Sequence, residues 1–483
     1  MTATATELRA LGQETLSTLG AIAPTYDRRD LPLSVLHLGP GAFFRAHQAD
    51  YFDRLNVIDP SWGIRAIALR TSSVPEALTP QDGLYTLVTL DRQVSARVIG
   101  ALKEVLFLGN IDPEMPFLEP GLKLLTLTIT EKGYCLGSDG GLDFDHADIR
   151  HDLETKDRPK SAIGLIVKGL AARRAAGLPT PVVLSCDNLP NNGGKLRAAV
   201  VNFAAATDTK LAQWISETVA FPSSMVDSIT PATNDTLRAR VSDIAGIHDA
   251  WPIQREAFTS WVIETPDGAV MPPLDRVGVV FTTNVTAHEQ AKLRMLNGSH
   301  STLAYVGLAK GFATVADAMA DPRMSGLIDE LMAEEIAPSV VPPPGLDLDQ
   351  YRHDLIARFR NPAIAHKLSQ IAWDASKKLP IRLLDTMLDN IAAGRPIARL
   401  ALGVAAWIRF VVRTTQAGEA ITDPMAEQLV ALGNQATGDA GSDVSRFLGL
   451  EAVFPAGLAS DAAFRRAVEA GYAEVLQMEE KGA

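Results

Sequence analysis

The sequence predicts an α/β fold in two parts, a mainly parallel β-sheet followed by a mostly α-helical domain. In the first part, short β-rich runs alternate with helical patterns, which is typical of a parallel sheet covered on both faces. The predicted strands are Val35–Leu38, Gly63–Leu69, Lys123–Thr130, Val182–Ser185 and Val277–Phe281. From Thr286 onward, Ala and Leu recur at helical spacing. We therefore predict two domains, 1–284 and 285–483, with the active site in the cleft between them.

The composition is that of an ordinary globular protein with an acidic surface. The 483 residues include 45 Lys and Arg against 57 Asp and Glu, which gives a formal net charge of −12. A surface of this sign repels phosphate backbones, so we do not expect nucleic acid as a partner. A small anionic ligand is still compatible with this charge, because a pocket can be basic on an acidic protein.

The cysteines and the apolar runs of the sequence indicate the cellular compartment of the protein. The two cysteines, Cys135 and Cys186, lie far apart, which excludes a disulfide framework and favours a reducing compartment. The N-terminus lacks the basic start and apolar core of a secretory signal. The longest apolar runs, such as Leu400–Ile408, are far shorter than the roughly 20 residues of a membrane helix. We predict a cytoplasmic protein with no membrane partner, either a monomer or a dimer.

A glycine turn follows the first predicted strand and opens a helix. It reads Gly39-Pro40-Gly41-Ala42-Phe43, and in this position backbone N–H groups and a helix N-terminus can bind a pyrophosphate. The third glycine of the usual G-x-G-x-x-G pattern is replaced by Phe44, so an ordinary tight turn is the alternative. The turn predicts a Rossmann-like domain that binds NAD or NADP through Gly39, Gly41, Ala42 and Phe43.

The end of the second strand bears on the choice of cofactor. An acidic residue usually stands there to accept from the ribose 2′-OH, but this chain has Arg70-Thr71-Ser72-Ser73 instead. A cation followed by hydroxyls suits a 2′-phosphate, so Arg70 and Ser72 predict tolerance of NADP. The alternative is that Arg70 is simply solvated.

The segment 286–300 is predicted to be one helix that carries the chemistry. Thr286 and Glu289 fit a capping box at its start. At about 100° per residue, Lys292, Asn297 and His300 can share one face, which would present an amine, an amide and an imidazole together. Oxidation of a secondary alcohol needs a base for the hydroxyl proton and donors for the developing alkoxide, and a lysine serves as the base only if burial lowers its pKa. The alternative is a helix whose polar groups are solvated or satisfied locally.

Several long motifs, in order along nearly the whole chain, resemble the long-chain, metal-independent polyol dehydrogenases, a family that includes mannitol 2-dehydrogenase and fructuronate reductase. The family's N-terminal pattern, G-x-G-x-F-x-R-x-H-Q, is matched by Gly39, Gly41, Phe43, Arg45, His47 and Gln48. The further matching segments are Thr128–Cys135, Ser185–Pro190, Met225–Pro231 and Lys292–His300. The family pattern also accounts for the missing third glycine.

The resemblance implies a role for each matching position. Lys292 would be the general base, and Asn188 with Asn297 would polarise the reacting oxygen. His300 would bind and orient the substrate. Asp227 and Lys378 match positions that line the sugar pocket. No metal is implied.

Two departures from the mannitol enzymes bear on specificity. Ser72 and Ser73 stand where NAD-specific members carry an acidic pair, and Gln370 stands where mannitol enzymes carry an arginine. The second departure resembles the fructuronate reductase branch. We therefore expect a small sugar or sugar acid as substrate, with D-fructuronate and D-mannonate ahead of D-fructose and D-mannitol or a related polyol pair. The alternatives from other classes are a nucleotide-binding sensor without activity and an NAD-assisted glycosidase.

Overall fold

The computed structural model describes residues 8–482 except 92, 156 and 267. The chain folds as two compact units, Met1–Thr286 and Ala287–Ala483. The strands, numbered along the chain, are β1 (Arg9–Ala10), β2 (Leu33–Leu38), β3 (Gly63–Ala68), β4 (Tyr85–Leu90), β5 (Ser95–Ile99), β6 (Leu102–Phe107), β7 (Leu124–Leu127), β8 (Val182–Ser185), β9 (Ser224–Asp227), β10 (Ile247–His248), β11 (Ile253–Glu256), β12 (Ser260–Glu264) and β13 (Val280–Thr282).

The helices before residue 292 are α1 (Ala42–Ala46), α2 (Gln48–Ile58), α3 (Ser73–Leu78), α4 (Ala147–Glu154), α5 (Ala162–Ala175), α6 (Asn192–Thr207), α7 (Thr209–Thr218), α8 (Asp235–Ala245) and α9 (Val285–Ala291). Those after it are α10 (Ser299–Ala309), α11 (Val315–Ala320), α12 (Pro322–Glu330), α13 (Leu348–Phe359), α14 (Leu368–Ile371), α15 (Ala375–Leu379), α16 (Asp385–Ala392), α17 (Ala398–Gln416), α18 (Ala426–Asn434), α19 (Ala440–Phe447), α20 (Ala456–Ala459) and α21 (Ala462–Gly482). Two π-helical turns, Lys292–Gly298 and Pro380–Leu384, join α9 to α10 and α15 to α16, and a third, Leu331–Ile336, continues α12 into the 3₁₀ turn Ala337–Ser339.

The first unit is built on a five-stranded sheet in the order β6-β3-β2-β7-β8, with every pair parallel. This is the doubly wound order, in which strands are added toward one edge from β2 to β6 and toward the other edge from β7 to β8. The adjacent strands β2 and β7 are mostly apolar and almost entirely buried, as a sheet covered on both faces requires. The predicted fold class, a Rossmann-like sheet followed by a helical part, is confirmed.

Smaller sheets complete the first unit, in the orders β11-β4-β5 and β13-β12-β9. Two predicted strands are wrong in extent. β7 ends at Leu127 because the next three residues leave the sheet to form a loop. The last strand begins at Val280, because Leu274–Val277 form a 3₁₀ turn.

A buried ionic cluster fastens helix α2, which follows the glycine turn. The carboxylate of Asp50 is fully buried and accepts from Arg54 (3.1 Å) and Arg255 (3.0 Å), and it also pairs with Arg97. Burial raises the pKa of Asp50, but the three guanidinium groups outweigh it and hold that pKa below its usual value. Because Arg97 lies on β5 and Arg255 on β11, the cluster joins the helix to two strands of one small sheet.

The second unit is helical and is organised around α17. This helix packs on α21 and α10, and its buried face includes Leu400, Val404, Trp407 and Val411. Helix α10 is buried on nearly every side from Ser299 to Gly307, so it is a core helix rather than a surface one. Among the residues that the structure describes, no helix has the length and apolar character needed to cross a membrane.

Candidate active site

The glycine turn lies at the carboxyl ends of β2 and β7, where a doubly wound sheet binds its ligand. Gly39 has φ of +89°, and a Cβ on it would lie 2.3 Å from the carbonyl oxygen of Thr128. Glycine is therefore required here for both conformation and space. The buried ring of His37 links the two strand ends, since its nitrogens lie 2.8 Å from Thr126 Oγ1 and 3.0 Å from Thr128 Oγ1. Burial lowers the pKa of His37 to about 3, so the ring is neutral.

The predicted cofactor-binding residues come together at this turn. Gly41 precedes helix α1 and is exposed, and a Cβ on it would meet nothing closer than 3.9 Å. Ala42 and Phe43 open the helix half-buried, and the Phe43 ring stacks on His47 at 4.9 Å. The backbone of the turn is thus open on one side, which fits the close approach of a pyrophosphate to N–H groups.

Two other residues of the N-terminal motif, Arg45 and His47, make structural contacts. The guanidinium of Arg45 is buried, donates to the carbonyl of Trp251 (2.8 Å) and lies over the Tyr85 and Trp251 rings. His47 is also buried, with Nε2 3.0 Å from the carbonyl of Ser260. These contacts fasten the turn and its helix to distant strands, a role that the motif alone does not reveal.

Arg70 and Ser72, at the end of β3, are already engaged. The Arg70 guanidinium is 59% exposed and pairs with Asp148 at 2.6 Å. The Ser72 hydroxyl donates to the carboxylate of Glu76 at 2.5 Å, because helix α3 brings Glu76 back beside the strand end. The strand end therefore presents a carboxylate as well as a cation, although the sequence shows no acid at the usual position.

One Cys-His-Asp group occurs among the described residues. Ligand atoms of Cys135, His146 and Asp148 lie within 4.8 Å of one another. These groups have other roles here: Asp148 pairs with Arg70, and His146 Nδ1 accepts from the Asp148 N–H (3.3 Å). Burial raises the pKa of the Cys135 thiol to about 11, which disfavours the thiolate that metals bind. That the protein uses no metal stays a prediction.

Asn188 and Asp227 both belong to the first unit. Asn188 is exposed and follows Asp187, whose carboxylate accepts from the N–H groups of Ile129 (3.0 Å) and Thr130 (2.9 Å). Thr130 adopts φ of +62° and ψ of 161°, a region that residues other than glycine rarely enter. Asp227 is buried at the end of β9.

Lys292, Asn297 and His300 lie on one continuous helix, as predicted, but its middle is π-helical. Helix α9 begins at Val285, so Thr286 lies inside the first turn and the predicted capping box is wrong. The turn Lys292–Gly298 then follows a hydrogen-bond repeat of five residues. Lys292 and Asn297, five positions apart, therefore lie one turn apart on the same side. On a regular α-helix they would be about 140° apart.

The three side chains present different polar groups. Lys292 is 9% exposed. Asn297 is half-buried, and its side-chain amide has no hydrogen-bond partner within the described part of the chain. The buried Nε2 of His300 also has none among these residues, and its ring stacks on Phe359 at 4.3 Å and meets His366 edge-on. Burial lowers the pKa of His300 well below its usual value, so the imidazole is neutral and can hydrogen-bond to a ligand.

Lys378 lies half-buried on α15, four positions before Arg382, a residue that sequence reasoning missed. Its ammonium donates to the carbonyl of Trp373 at 2.6 Å, whereas neighbouring Lys377 is exposed. Four positions further on, in the turn Pro380–Leu384, the Arg382 guanidinium lies 3.3 Å from the hydroxyl of Ser301. The spacing of two cations at i and i+4 was visible in the sequence and is the signal that could have identified Arg382.

Gly298 allows two π-helical turns to pack closely against each other. A Cβ on Gly298 would lie 2.7 Å from the carbonyl oxygen of Arg382, so the turns Lys292–Gly298 and Pro380–Leu384 approach closely only because this residue has no side chain. The turn that carries Lys292 and Asn297 therefore packs against the turn that carries Arg382.

Comparison with protein families gives two matches that together span most of the chain. Residues 33–275 match the family model described as the mannitol dehydrogenase Rossmann domain. Residues 284–476 match that of the mannitol dehydrogenase C-terminal domain.

Individual proteins are similar over most of their length. D-mannonate oxidoreductase of Escherichia coli (strain K12) is 40% identical over 95% of this chain and 97% of its own. Mannitol 2-dehydrogenase of Phaeosphaeria nodorum is 36% identical over 87% of this chain and 77% of its own. Among solved structures, the Pseudomonas fluorescens mannitol 2-dehydrogenase complex with NAD and D-mannitol has a TM-score of 0.82 at 35% identity, with 98% of this chain and 99% of that chain covered.

We expect Gly298→Ala to lower the free energy of unfolding by about 1–3 kcal/mol, because its methyl group must displace a backbone carbonyl in a packed core. Urea denaturation measures this change. Gly326→Ala is the matched control, since Gly326 lies within α12 with open space around it and alanine favours a helix. Equal stability of the two variants would contradict the close packing of the two π-helical turns.

Proposed function

Because this chain belongs to the mannitol dehydrogenase family, as its motifs predict, we propose that it interconverts a 2-keto sugar acid and the corresponding secondary alcohol. The chain is an oxidoreductase of this family, and the substrate pair that we propose is D-fructuronate and D-mannonate. The observation that carries this choice is the 40% identity to a D-mannonate oxidoreductase over nearly the whole of both chains. Gln370, in place of the arginine of mannitol enzymes, supports the same branch.

The proposed cofactor is NAD, with NADP tolerated. A nicotinamide dinucleotide supplies or accepts the hydride of the reaction when bound. Gly39, Gly41, Ala42 and Phe43 would hold its pyrophosphate, and the open side of Gly41 is the observation that fits this group. Support for NAD comes from the Pseudomonas fluorescens relative, which was solved with NAD.

Both charge types at the end of β3 support a relaxed choice between the two cofactors. The carboxylate of Glu76 lies beside Ser72 and can accept from a ribose hydroxyl. The exposed guanidinium of Arg70 can bind a 2′-phosphate. Its ion pair with Asp148 is a competing interaction, so we propose NADP as the weaker ligand.

Lys292 is the proposed general base and acid. In the direction of oxidation, its amine would take the proton of the substrate hydroxyl, and in reduction its ammonium would return a proton to the carbonyl oxygen. The amide of Asn297, one π-turn away on the same side, would donate to the oxygen as negative charge develops there. Asn188 would add a second amide donor, and the neutral ring of His300 would orient the substrate. Asp227 and Lys378 would line the sugar pocket.

This set of groups needs no metal ion. An ammonium and two amides can stabilise an oxyanion through hydrogen bonds, the task that a Lewis-acidic cation performs in other dehydrogenases. We accordingly propose a metal-independent reaction.

We expect the protein to retain full activity after dialysis against EDTA, because the proposed reaction uses no metal ion. Loss of activity that a divalent cation restores would contradict this proposal.

A second candidate is the oxidation of D-mannitol to D-fructose. Mannitol 2-dehydrogenases are 35–36% identical to this chain over most of its length, and the one solved with D-mannitol shares its fold. The two candidates differ in one group of the substrate, a terminal carboxylate against a hydroxymethyl, so direct comparison distinguishes them.

In steady-state assays with NADH and NADPH, we expect kcat/KM for D-fructuronate to exceed that for D-fructose by at least about tenfold, because each discriminating charged contact is worth roughly 1.5–3 kcal/mol. D-tagaturonate and other ketoses complete the panel, and D-mannonate and D-mannitol are tested with NAD and NADP. Activity with D-mannitol and none with D-mannonate would reverse the ranking.

We expect Gly41→Ala to fold normally but to bind NAD at least about tenfold more weakly. The added methyl group meets no atom closer than 3.9 Å within the protein, yet it occupies the space that a pyrophosphate needs. Fluorescence titration with NADH measures the affinity, and thermal unfolding reports the fold. Gly457→Ala is the control, because Gly457 also has open space around it but lies on α20, outside the turn. Unchanged NADH affinity in Gly41→Ala would argue against a cofactor at this turn.

A further inference from the structure

Two cations lie side by side on the helix that carries Lys378 without an acidic partner. Lys378 and Arg382 are four positions apart, a spacing that places like charges next to each other and is destabilising. Both are half-buried, and neither forms an ion pair with any described residue. Within the described part of the chain, the Lys378 side chain donates a hydrogen bond to one carbonyl, and the Arg382 side chain donates to one hydroxyl, 3.3 Å away.

Neither nearby acid, Asp374 or Asp423, forms an ion pair with Lys378 or Arg382 in the described part of the chain. Asp423 accepts from the hydroxyl (2.5 Å) and N–H (2.9 Å) of Ser376, which occupies that carboxylate. Asp374 and Asp423 act on Lys378 only at longer range and not on Arg382. Burial lowers the pKa of both cations, and the positive charge of Arg382 lowers the pKa of Lys378 further, so the pair is costly unless an anion compensates it.

The pair also lies next to the proposed substrate-binding histidine. Arg382 contacts Ser301, which follows His300 directly in the chain, and the positive charge of Arg382 is felt by the His300 ring. The backbone of Arg382 packs on Gly298, one residue beyond Asn297. A ligand bound by Asn297 and His300 would therefore come close to both cations.

We propose that Arg382, together with Lys378, binds the carboxylate of a sugar-acid substrate and is the residue that selects sugar acids over neutral polyols. This inference rests on the proposed function and names the group of the substrate that its site recognises. A guanidinium presents paired N–H donors that match the two oxygens of a carboxylate. A polyol hydroxyl can hydrogen-bond to the same cations but cannot neutralise them, so a neutral substrate leaves the repulsion between them in place.

The test compares the binding of D-mannonate and D-mannitol by isothermal titration calorimetry in the intact protein, Arg382→Gln, Arg382→Lys and Lys377→Gln. We expect Arg382→Gln to weaken D-mannonate binding by about 10- to 100-fold and D-mannitol binding by much less, so that the preference for the acid falls. Arg382→Lys keeps the charge without the paired donors and should give an intermediate preference. Lys377→Gln removes an exposed neighbouring charge and should bind as the intact protein does.

Each other outcome has a defined meaning. Equal losses for the acid and the polyol, or unchanged binding of D-mannonate, would overturn the inference, and so would an intact protein that binds D-mannonate no better than D-mannitol. If Arg382→Gln fails to fold, as thermal unfolding would show, the preference of Arg382→Lys decides instead. Binding is measured without turnover, which separates this inference from the proposed function. A protein that binds D-mannonate through Arg382 but oxidises neither compound contradicts the function alone, and one that oxidises D-mannonate regardless of Arg382 contradicts the inference alone.

Discussion

The π-helical turn Lys292–Gly298 is the constraint on which the proposed chemistry depends. A repeat of five residues brings Lys292 and Asn297 one above the other on the same side of the helix, whereas a regular α-helix would separate them by about 140°. The turn continues directly into the buried helix α10, so its position is set by the core of the second unit. Its last residue, Gly298, allows close contact with the segment that carries Lys378 and Arg382. One local departure from α-helical geometry thus aligns the amine with the amide and packs their turn against the turn that carries Arg382.

The glycine turn of the first unit depends on a different kind of support. Only glycine fits at position 39, because a Cβ there would clash with the backbone of Thr128. His37 and Arg45 fasten the surrounding elements with buried hydrogen bonds. Few of these residues would contact a ligand. Much of the N-terminal motif therefore holds the shape of a site, while the open backbone at Gly41 is the part available for binding.

Much of the fold could be predicted from the sequence, and the limits are physical. The strands β2 and β8 are mostly apolar and were predicted, whereas the edge strand β6 carries Lys103 and Glu104 and was not. The three proposed site residues Lys292, Asn297 and His300 lie on one continuous helix as predicted, but their angular relation was not predicted, because residue spacing assumes 3.6 residues per turn. Arg382 was missed because a lone arginine after a proline resembles a solvated one. That Arg382 forms no ion pair with any described residue is a property of the folded chain, which the spacing of the two cations suggests but does not establish.

The central claim, that Lys292 moves the substrate proton, is tested most directly by chemical rescue of Lys292→Ala. Its turnover is measured with the best substrate of the intact protein, with and without added methylamine. The account predicts that turnover falls by about 10²- to 10⁴-fold, that methylamine partly restores it, and that the affinity for NADH stays close to that of the intact protein. A variant that retains most of its turnover, or a loss explained entirely by weaker cofactor binding, would contradict the account.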